Sequence, residues 1–428
     1  MAIIEASIPL FFLLILAELA YTRRRRSSVY RLNDSISDLS CGILSQLLGV
    51  FTKLLVLAIY AWAVSHLSLQ HFDILPEWIN RAPFGAGSIA GLWGIDWAAW
   101  GAWVLAFLLV DLAYYFLHRY SHTIHLLWAG HVVHHSSEEY NLTVALRQSA
   151  LHGLLSWVFF IPLAVIGLPW ELFAASYALN LVYQFWIHTR EIDKLPFGLE
   201  WWLNTPSHHR VHHGVNPQYH DRNYAGALIV WDRMFGTFEP EVEPVVYGIT
   251  TPLESWNPVW ANVHVFADIA RNAMRTERWR DKWRVVFGHP GFLPADLARV
   301  SPPKRAWPIH APQFDPIVPR ANQRYAAAQF IAILVSAYLT LVAAATLAPH
   351  ELAAMLFVVT VGLTNVGAIF EGKAWGNTIE FARLATVAAA SSLVLLRGEH
   401  TMLASITLVT SILSALWLTR LRPRETSA

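Results

Sequence analysis

The feature that most constrains this chain is the length and spacing of its apolar runs. Stretches near 5–21, 42–64, 96–117, 151–168, 170–188, 326–347, 352–370, 383–397 and 402–419 approach or reach the span of a hydrocarbon core. Crossing that core of ~30 Å takes about 20 helical residues, and a backbone inside lipid must satisfy its own polar groups, so such runs are expected as helices. Only 14% of the residues are charged, against roughly 25% in a soluble globular protein. The expectation is an all-α integral membrane protein, a multi-span helical bundle with about nine crossings. Those at 151–188 and 383–397 are short or broken.

Charge orients the bundle. Arg23, Arg24, Arg25 and Arg26 follow the first apolar run, whereas a signal peptide carries its basic region ahead of one, so the run reads as an anchor. The positive-inside rule then puts the cluster in the cytoplasm and the N-terminus outside. Threading nine crossings from there leaves 118–150, 189–325 and a tail with Arg420, Arg422 and Arg424 on the cytoplasmic side. The basic run at 271–284 falls there too.

Four regions follow. Residues 1–95 are read as N-terminal membrane helices with an outward loop over 66–95, and 96–240 as a histidine-rich catalytic domain. Residues 241–325, rich in Pro, Trp and Arg, are read as a cytoplasmic helical cap, and 326–428 as a C-terminal transmembrane bundle. Cys41 is the only cysteine, which excludes an intramolecular disulfide and any Cys-based zinc or iron–sulfur site. A net charge of +1 gives no reason to expect nucleic acid.

Thirteen of the twenty histidines lie between 118 and 220. On a helix His118 and His122 stand at i and i+4, and His131 meets His134 and His135 at i+3 and i+4. His209, His212 and His213 repeat the pattern. Asp111 lies on the polar face that ends at His118 and His122, placed to orient a ligand through its outer ring nitrogen. Asn180, Gln184 and His188 make a second polar stripe. His208 falls off the spacing but remains a candidate. His66, His71, His125, His152, His220, His264, His289, His310, His350 and His400 stand alone and read as surface or hydrogen-bonded residues.

Eight or nine imidazoles exceed what one ion takes, so two ions are implied. No H-E-x-x-H occurs; "HELAA" at 350–354 fails at its last position. Imidazole-rich sites suit iron, and two irons close together suit activation of dioxygen for attack on a C–H bond.

"HRYSH", "HVVHH" and "HRVHH" resemble the three histidine boxes of the fatty acid hydroxylase and sterol desaturase superfamily of membrane di-iron oxygenases. "YRLNDSISDLSCG", "HVVHHSSEEYNLTVALRQS", "QFWIHT", "NTPSHHRVHHGVNP" and "DRNYAGALIVWDRMFGTFEPE" are similar to its ether-lipid-cleaving branch, the alkylglycerol monooxygenases. The resemblance is strong over roughly 20–250. It implies two iron ions held by His118, His122, His131, His134, His135, His209, His212 and His213, with His188 matching a further ligand. Some members carry another histidine four residues later; Ile192 stands there, leaving His208 or a non-histidine group to complete the second iron.

The reaction implied is oxygen insertion, with O2 as co-substrate, beside an ether oxygen of a lipid; the product falls apart to an aldehyde and a glycerol derivative. Electrons come from an external donor, tetrahydrobiopterin in animal members. The alternatives are hydroxylation or desaturation of a fatty acyl or sterol-type substrate and, from another class, a bis-histidine haem carrier or a transporter. Residence in a bacterial inner membrane or the endoplasmic reticulum fits the composition.

Overall fold

The computed structural model describes residues 2–69, 97–300, 311–398 and 400–421. Most of the outward loop expected over 66–95, and Arg422 and Arg424 of the tail, lie outside them. Regular structure among the described residues is helical, with one isolated antiparallel bridge between Gly214 and Tyr247. In chain order the first helices are α1 (Ala2–Arg25), α2 (Leu32–Leu67), α3 (Trp97–Thr123), α4 (His125–His135), α5 (His152–Ser156), α6 (Ile161–Val165) and α7 (Trp170–Trp186). There follow α8 (Leu199–Trp202), α9 (Pro206–His212), α10 (Val230–Phe235), α11 (Pro258–Arg275), α12 (Trp279–Phe287) and α13 (Ala295–Val300). The chain closes with α14 (Arg320–Ala343), α15 (Pro349–Phe370), α16 (Trp375–Leu396) and α17 (Thr401–Leu418).

Seven of the described helices, α1–α3 and α14–α17, are long and apolar enough to cross a membrane. The other two expected crossings form a shorter hairpin. Pro162, Gly167 (φ +90°) and Pro169 interrupt the first limb, which breaks into α5, a 3₁₀ turn over Trp157–Phe160 and α6. The second limb, α7, has only 17 residues. The hairpin tip is held against α2, where the Tyr60 hydroxyl donates to the Leu168 carbonyl at 3.0 Å and the Tyr60 and Phe173 rings stack at 4.2 Å.

Two helices start earlier than their apolar runs suggest, for one physical reason. α2 begins ten residues before position 42, and its added turns carry Asp34 and Asp38, both buried against polar partners. α16 is an unbroken helix of 22 residues, not a short or broken segment. Its early turns carry Glu380, whose carboxylate takes bonds from Arg383, Tyr325 and Asn365. Charge that is paired inside a bundle does not end a helix; hydropathy alone misses this.

The C-terminal helices pack on α2 rather than standing apart. Ile36, Leu44 and Leu47 of α2 share one core with Tyr325 and Ile333 of α14, Leu363 and Phe370 of α15, and Leu418. Another core joins the far half of α2 to α3, α6 and α7.

Removing one partner of a buried ion pair costs about 3–5 kcal/mol because the other charge is left uncompensated. Glu380→Ala, which strands Arg383, is expected to lower the thermal unfolding temperature of the purified protein markedly. The double variant Glu380→Ala/Arg383→Ala is expected to recover part of the loss in the same measurement.

Candidate metal centre

Four helix ends deliver the imidazoles. The last turns of α3 carry His118 and His122, α4 carries His131, His134 and His135, and α9 carries His209 and His212 with His213 as its C-cap. His188 follows the C-cap of α7. The nine rings fall into two groups. His118, His122, His131, His135 and His212 form one; His134, His188, His209 and His213 form the other. In each group the donor atoms lie within 4.8 Å of one another, so either group could hold a metal ion.

Helical phase explains the division. At about 100° per residue, positions i and i+4 differ by about 40°, whereas i+3 falls about 60° to the other side. His131 and His135 therefore share a group and His134 turns to the other; His209 and His213 share a group and His212 crosses over. The triplets thus straddle two centres instead of pointing to one side.

Backbone carbonyls fix the rings. A carbonyl can only accept, so Nδ1 carries the proton in His118, bonded to Tyr224 O (2.7 Å), and in His134, bonded to Arg147 O (3.1 Å). The same holds for His188 with Gln184 O (2.7 Å) and His212 with Arg222 O (2.9 Å). Their Nε2 atoms are left as lone pairs. Those of His134 and His188 face one another at 3.2 Å, and His118 Nε2 lies 3.0 Å from His131 Nε2. His122 Nε2, His209 Nδ1 and His213 Nε2 are buried with no hydrogen-bond partner. Converging lone pairs and orphaned nitrogens in a buried pocket call for a cation between them, and an all-nitrogen donor set suits a first-row transition metal.

Burial, assisted by the neighbouring imidazoles, holds His131, His134, His135, His209 and His213 well below the ordinary value near 6.5. Burial takes His188 down to about 3 and His212 to about 4, against the opposing pull of their carbonyl bonds. The rings are therefore neutral at physiological pH, the state that ligates metal.

A layer of charge that the histidine pattern does not disclose supports this pocket. Arg147 is 1% exposed, and its guanidinium bonds to Asp38 (3.1 Å), Ser37, Ser136 and the Val133 carbonyl (2.7 Å). It ties α2 to the C-terminal end of α4, while its own carbonyl orients His134. Asp34 accepts from Ser137. Glu18 of α1 accepts from Tyr30, from Thr189 beside His188, and from Leu142 N–H. The sequence signal for Asp34 and Asp38 is the pair of carboxylates in "NDSISD", at the head of a mostly apolar helix.

Asp111 does not meet an imidazole. Its carboxylate takes four other bonds, from Asn180 (2.5 Å), the Ala227 (2.8 Å) and Leu228 (3.1 Å) N–H groups and the Trp231 indole (2.8 Å). It pins the loop whose Tyr224 carbonyl orients His118, so its effect on the ring passes through backbone. Gly226 is required by this approach, since a Cβ there would sit 2.9 Å from Asp111 Oδ1. His208 joins neither group; its Nε2 lies 3.0 Å from Glu200. His125 is buried and donates to the Val285 carbonyl at 2.9 Å. The His152 ring centre lies 5.6 Å from that of His131, outside both groups.

Residues 103–237 match the family model described as fatty acid hydroxylase. Over 387 residues the chain is 36% identical to the alkylglycerol monooxygenase of Xenopus tropicalis, covering 89% of this chain and 80% of that protein. It is 40% identical over 292 residues to the Homo sapiens enzyme of that name, covering 68% and 60%. A bacterial ornithine lipid hydroxylase, from Rhizobium tropici, is 27% identical over 160 residues, 36% of this chain and 46% of its own length. No solved structure matches. With that breadth of similarity falling on the segments that build the histidine pocket, the chain belongs to the alkylglycerol monooxygenase family of the fatty acid hydroxylases.

Proposed function

We propose that the protein is an integral-membrane, non-haem di-iron monooxygenase that uses O2 to hydroxylate an ether lipid at the carbon beside the ether oxygen. The hemiacetal formed there breaks to a fatty aldehyde and a glycerol derivative. Two electrons and two protons from an external reductant balance the reaction, the second oxygen atom leaving as water. The resemblance to animal members points to tetrahydrobiopterin as that reductant. The observation that carries the reading is the gathering of nine neutral imidazoles into two adjacent groups.

In this reading one iron is held by His118, His122, His131, His135 and His212 and the other by His134, His188, His209 and His213. Bound there, the pair would supply reduction of dioxygen and insertion of one of its oxygen atoms into a C–H bond, the other leaving as water. The chain's own contribution is orientation and shelter. Carbonyls of Tyr224, Arg147, Gln184 and Arg222 hold four rings in one tautomer, and burial keeps water from the reacting oxygen. A haem carrier fits poorly, because rings packed on one another at centroid distances of 4.3–5.0 Å leave no slab for a macrocycle.

The cytoplasmic side is proposed for the pocket. α1 ends at the pocket level with Arg23, Arg24 and Arg25, and basic residues flanking spans stay inside. The lipid substrate reaches the pocket sideways from the bilayer.

Membranes carrying the iron-loaded protein, given labelled alkylglycerol and a reduced pterin, are expected to release fatty aldehyde. The match to an ornithine lipid hydroxylase favours one second reading, hydroxylation without cleavage, in which hydroxylated chains accumulate and aldehyde is absent. His134→Ala and His188→Ala are each expected to abolish turnover and to lower bound iron from about two per chain towards one by elemental analysis.

Asp111→Asn puts an amide donor among four donors, leaving a buried group unpaired at a cost of about 1–3 kcal/mol. Calorimetry is expected to show that destabilisation. Iron affinity, read by chelator competition, should fall by less than the about 10–100-fold that follows loss of a direct partner of a ligating histidine, since Asp111 reaches His118 only through the backbone that carries the Tyr224 carbonyl.

A further inference from the structure

The helical hairpin of α11 and α12 is fastened at both ends to places where membrane helices terminate. At its start, Glu371, the C-cap of α15, accepts from the Ser255 hydroxyl at 2.8 Å and the Trp256 N–H at 2.7 Å. The contact is tight: a Cβ on Gly367 in the last turn of α15 would lie 2.6 Å from the Trp256 carbonyl. At its end, the backbone N–H of His125 donates to the Gly288 carbonyl and the His125 ring to the Val285 carbonyl, both at 2.9 Å. His125 lies two residues past the end of α3. The hairpin is thus held at the level where two helices long and apolar enough to span a membrane end.

Its two faces differ in chemistry. Ile269 and Val285 are buried against Ala129 of the histidine helix α4. On the other side of α12, Trp279, Trp283 and Phe287 recur every fourth residue and are 75%, 62% and 49% exposed. Met274, also 75% exposed, extends the apolar surface onto α11. Residues 271–284 hold six basic side chains against two acidic ones, Glu277 and Asp281, and Arg275, Arg278, Arg280 and Arg284 are exposed around the aromatic stripe. Lys282 is not part of that surface, since its ammonium bonds the Ala273 and Thr276 carbonyls and so closes the hairpin.

Exposed indoles beside arginines, on a helix lying at the level of span ends, match a membrane interface rather than bulk water. Positive charge there complements anionic headgroups. We propose that the α11–α12 hairpin lies in the headgroup layer of the bilayer that the chain spans, with Trp279, Trp283 and Phe287 in the acyl boundary and Arg275, Arg278 and Arg280 binding anionic lipid headgroups. Because Val285 and Gly288 hold the first residue of α4, this seat also fixes the start of the histidine helix. The assignment stands whatever reaction the pocket performs.

The test uses the full chain in lipid nanodiscs, with a nitroxide on Trp283→Cys in a Cys41→Ser background. Discs are made of phosphatidylcholine alone or mixed with phosphatidylglycerol, and relaxation by oxygen is compared with relaxation by a water-soluble nickel chelate. Oxygen is expected to be severalfold the more effective, and the difference should widen with phosphatidylglycerol. Arg275→Glu/Arg278→Glu/Arg280→Glu should remove the dependence on phosphatidylglycerol. Dominant relaxation by the nickel chelate in both discs would overturn the proposal, as would protection that appears only with several proteins per disc, which gives the face to a second copy. Identical behaviour in the two lipids would overturn the assignment of anionic headgroups.

Discussion

Lone pairs on imidazole nitrogens repel, and this protein holds the Nε2 lone pairs of His134 and His188 3.2 Å apart in a buried pocket where further ring nitrogens approach to 3.0–3.2 Å. Four of the rings, those of His118, His134, His188 and His212, are anchored from behind against that repulsion. The anchors are carbonyls left over at breaks in regular structure. Gln184 lies in the last turn of α7, where helix carbonyls have no partner within the helix, and Arg147 follows the 3₁₀ turn over Val144–Leu146. Short, interrupted elements around the pocket are therefore a source of acceptors that long helices would have consumed internally.

Those carbonyls must themselves be held, and charge does it. Arg147 and Asp38 are both almost fully buried, far from the water that ordinarily solvates such groups. A buried ion pair is weak evidence for net stability, but the bonds of this one set Asp38, Ser136 and the Val133 carbonyl around a single guanidinium. Asp111 works likewise on the loop at 225–231, and Glu18 on the segment after His188. The pocket thus draws on α1 and α2 as well as on the histidine-bearing segments. The C-terminal bundle is braced against that same end of α2.

Much of the pocket was legible because its residues are chemically unusual for their setting. Imidazoles spaced at i, i+3 and i+4 beside apolar runs have few structural explanations, and the nine residues picked by spacing, stripe and resemblance are the nine that meet. Their division between two centres was not legible, since one helix cannot reveal which neighbour each face will encounter. Asp111 was readable as important, but three of its four partners come from a segment more than a hundred residues away. Arg147 gave no local signal, sitting in an ordinary polar stretch. Helix ends were misjudged where hydropathy was asked to find them: Asp38 and Glu380 are inside helices because distant segments bond their carboxylates, Arg147 and Thr143 for one and Tyr325 and Asn365 for the other, and no window average contains a tertiary partner.

The short, broken hairpin over 151–188 leaves the sidedness of the bundle intact. α3 ends at the pocket with His118 and His122, and α7 ends at the pocket with His188. Whatever depth the chain reaches between them, it leaves and returns on one side, so the segment at 151–188 contributes an even number of passages. α14 must then begin on the pocket side. It does so in the structure, where the Phe314 carbonyl and N–H, just before α14, meet Arg31 and Glu138 near the pocket. Four further helices return the chain to that level at Leu418 and Leu421, which join the core against α2. The prolines at 162 and 169 shorten the hairpin without disturbing this parity. The irregularity is confined to the first limb, while α7 stays helical and brings Asn180 to Asp111 and His188 to the pocket.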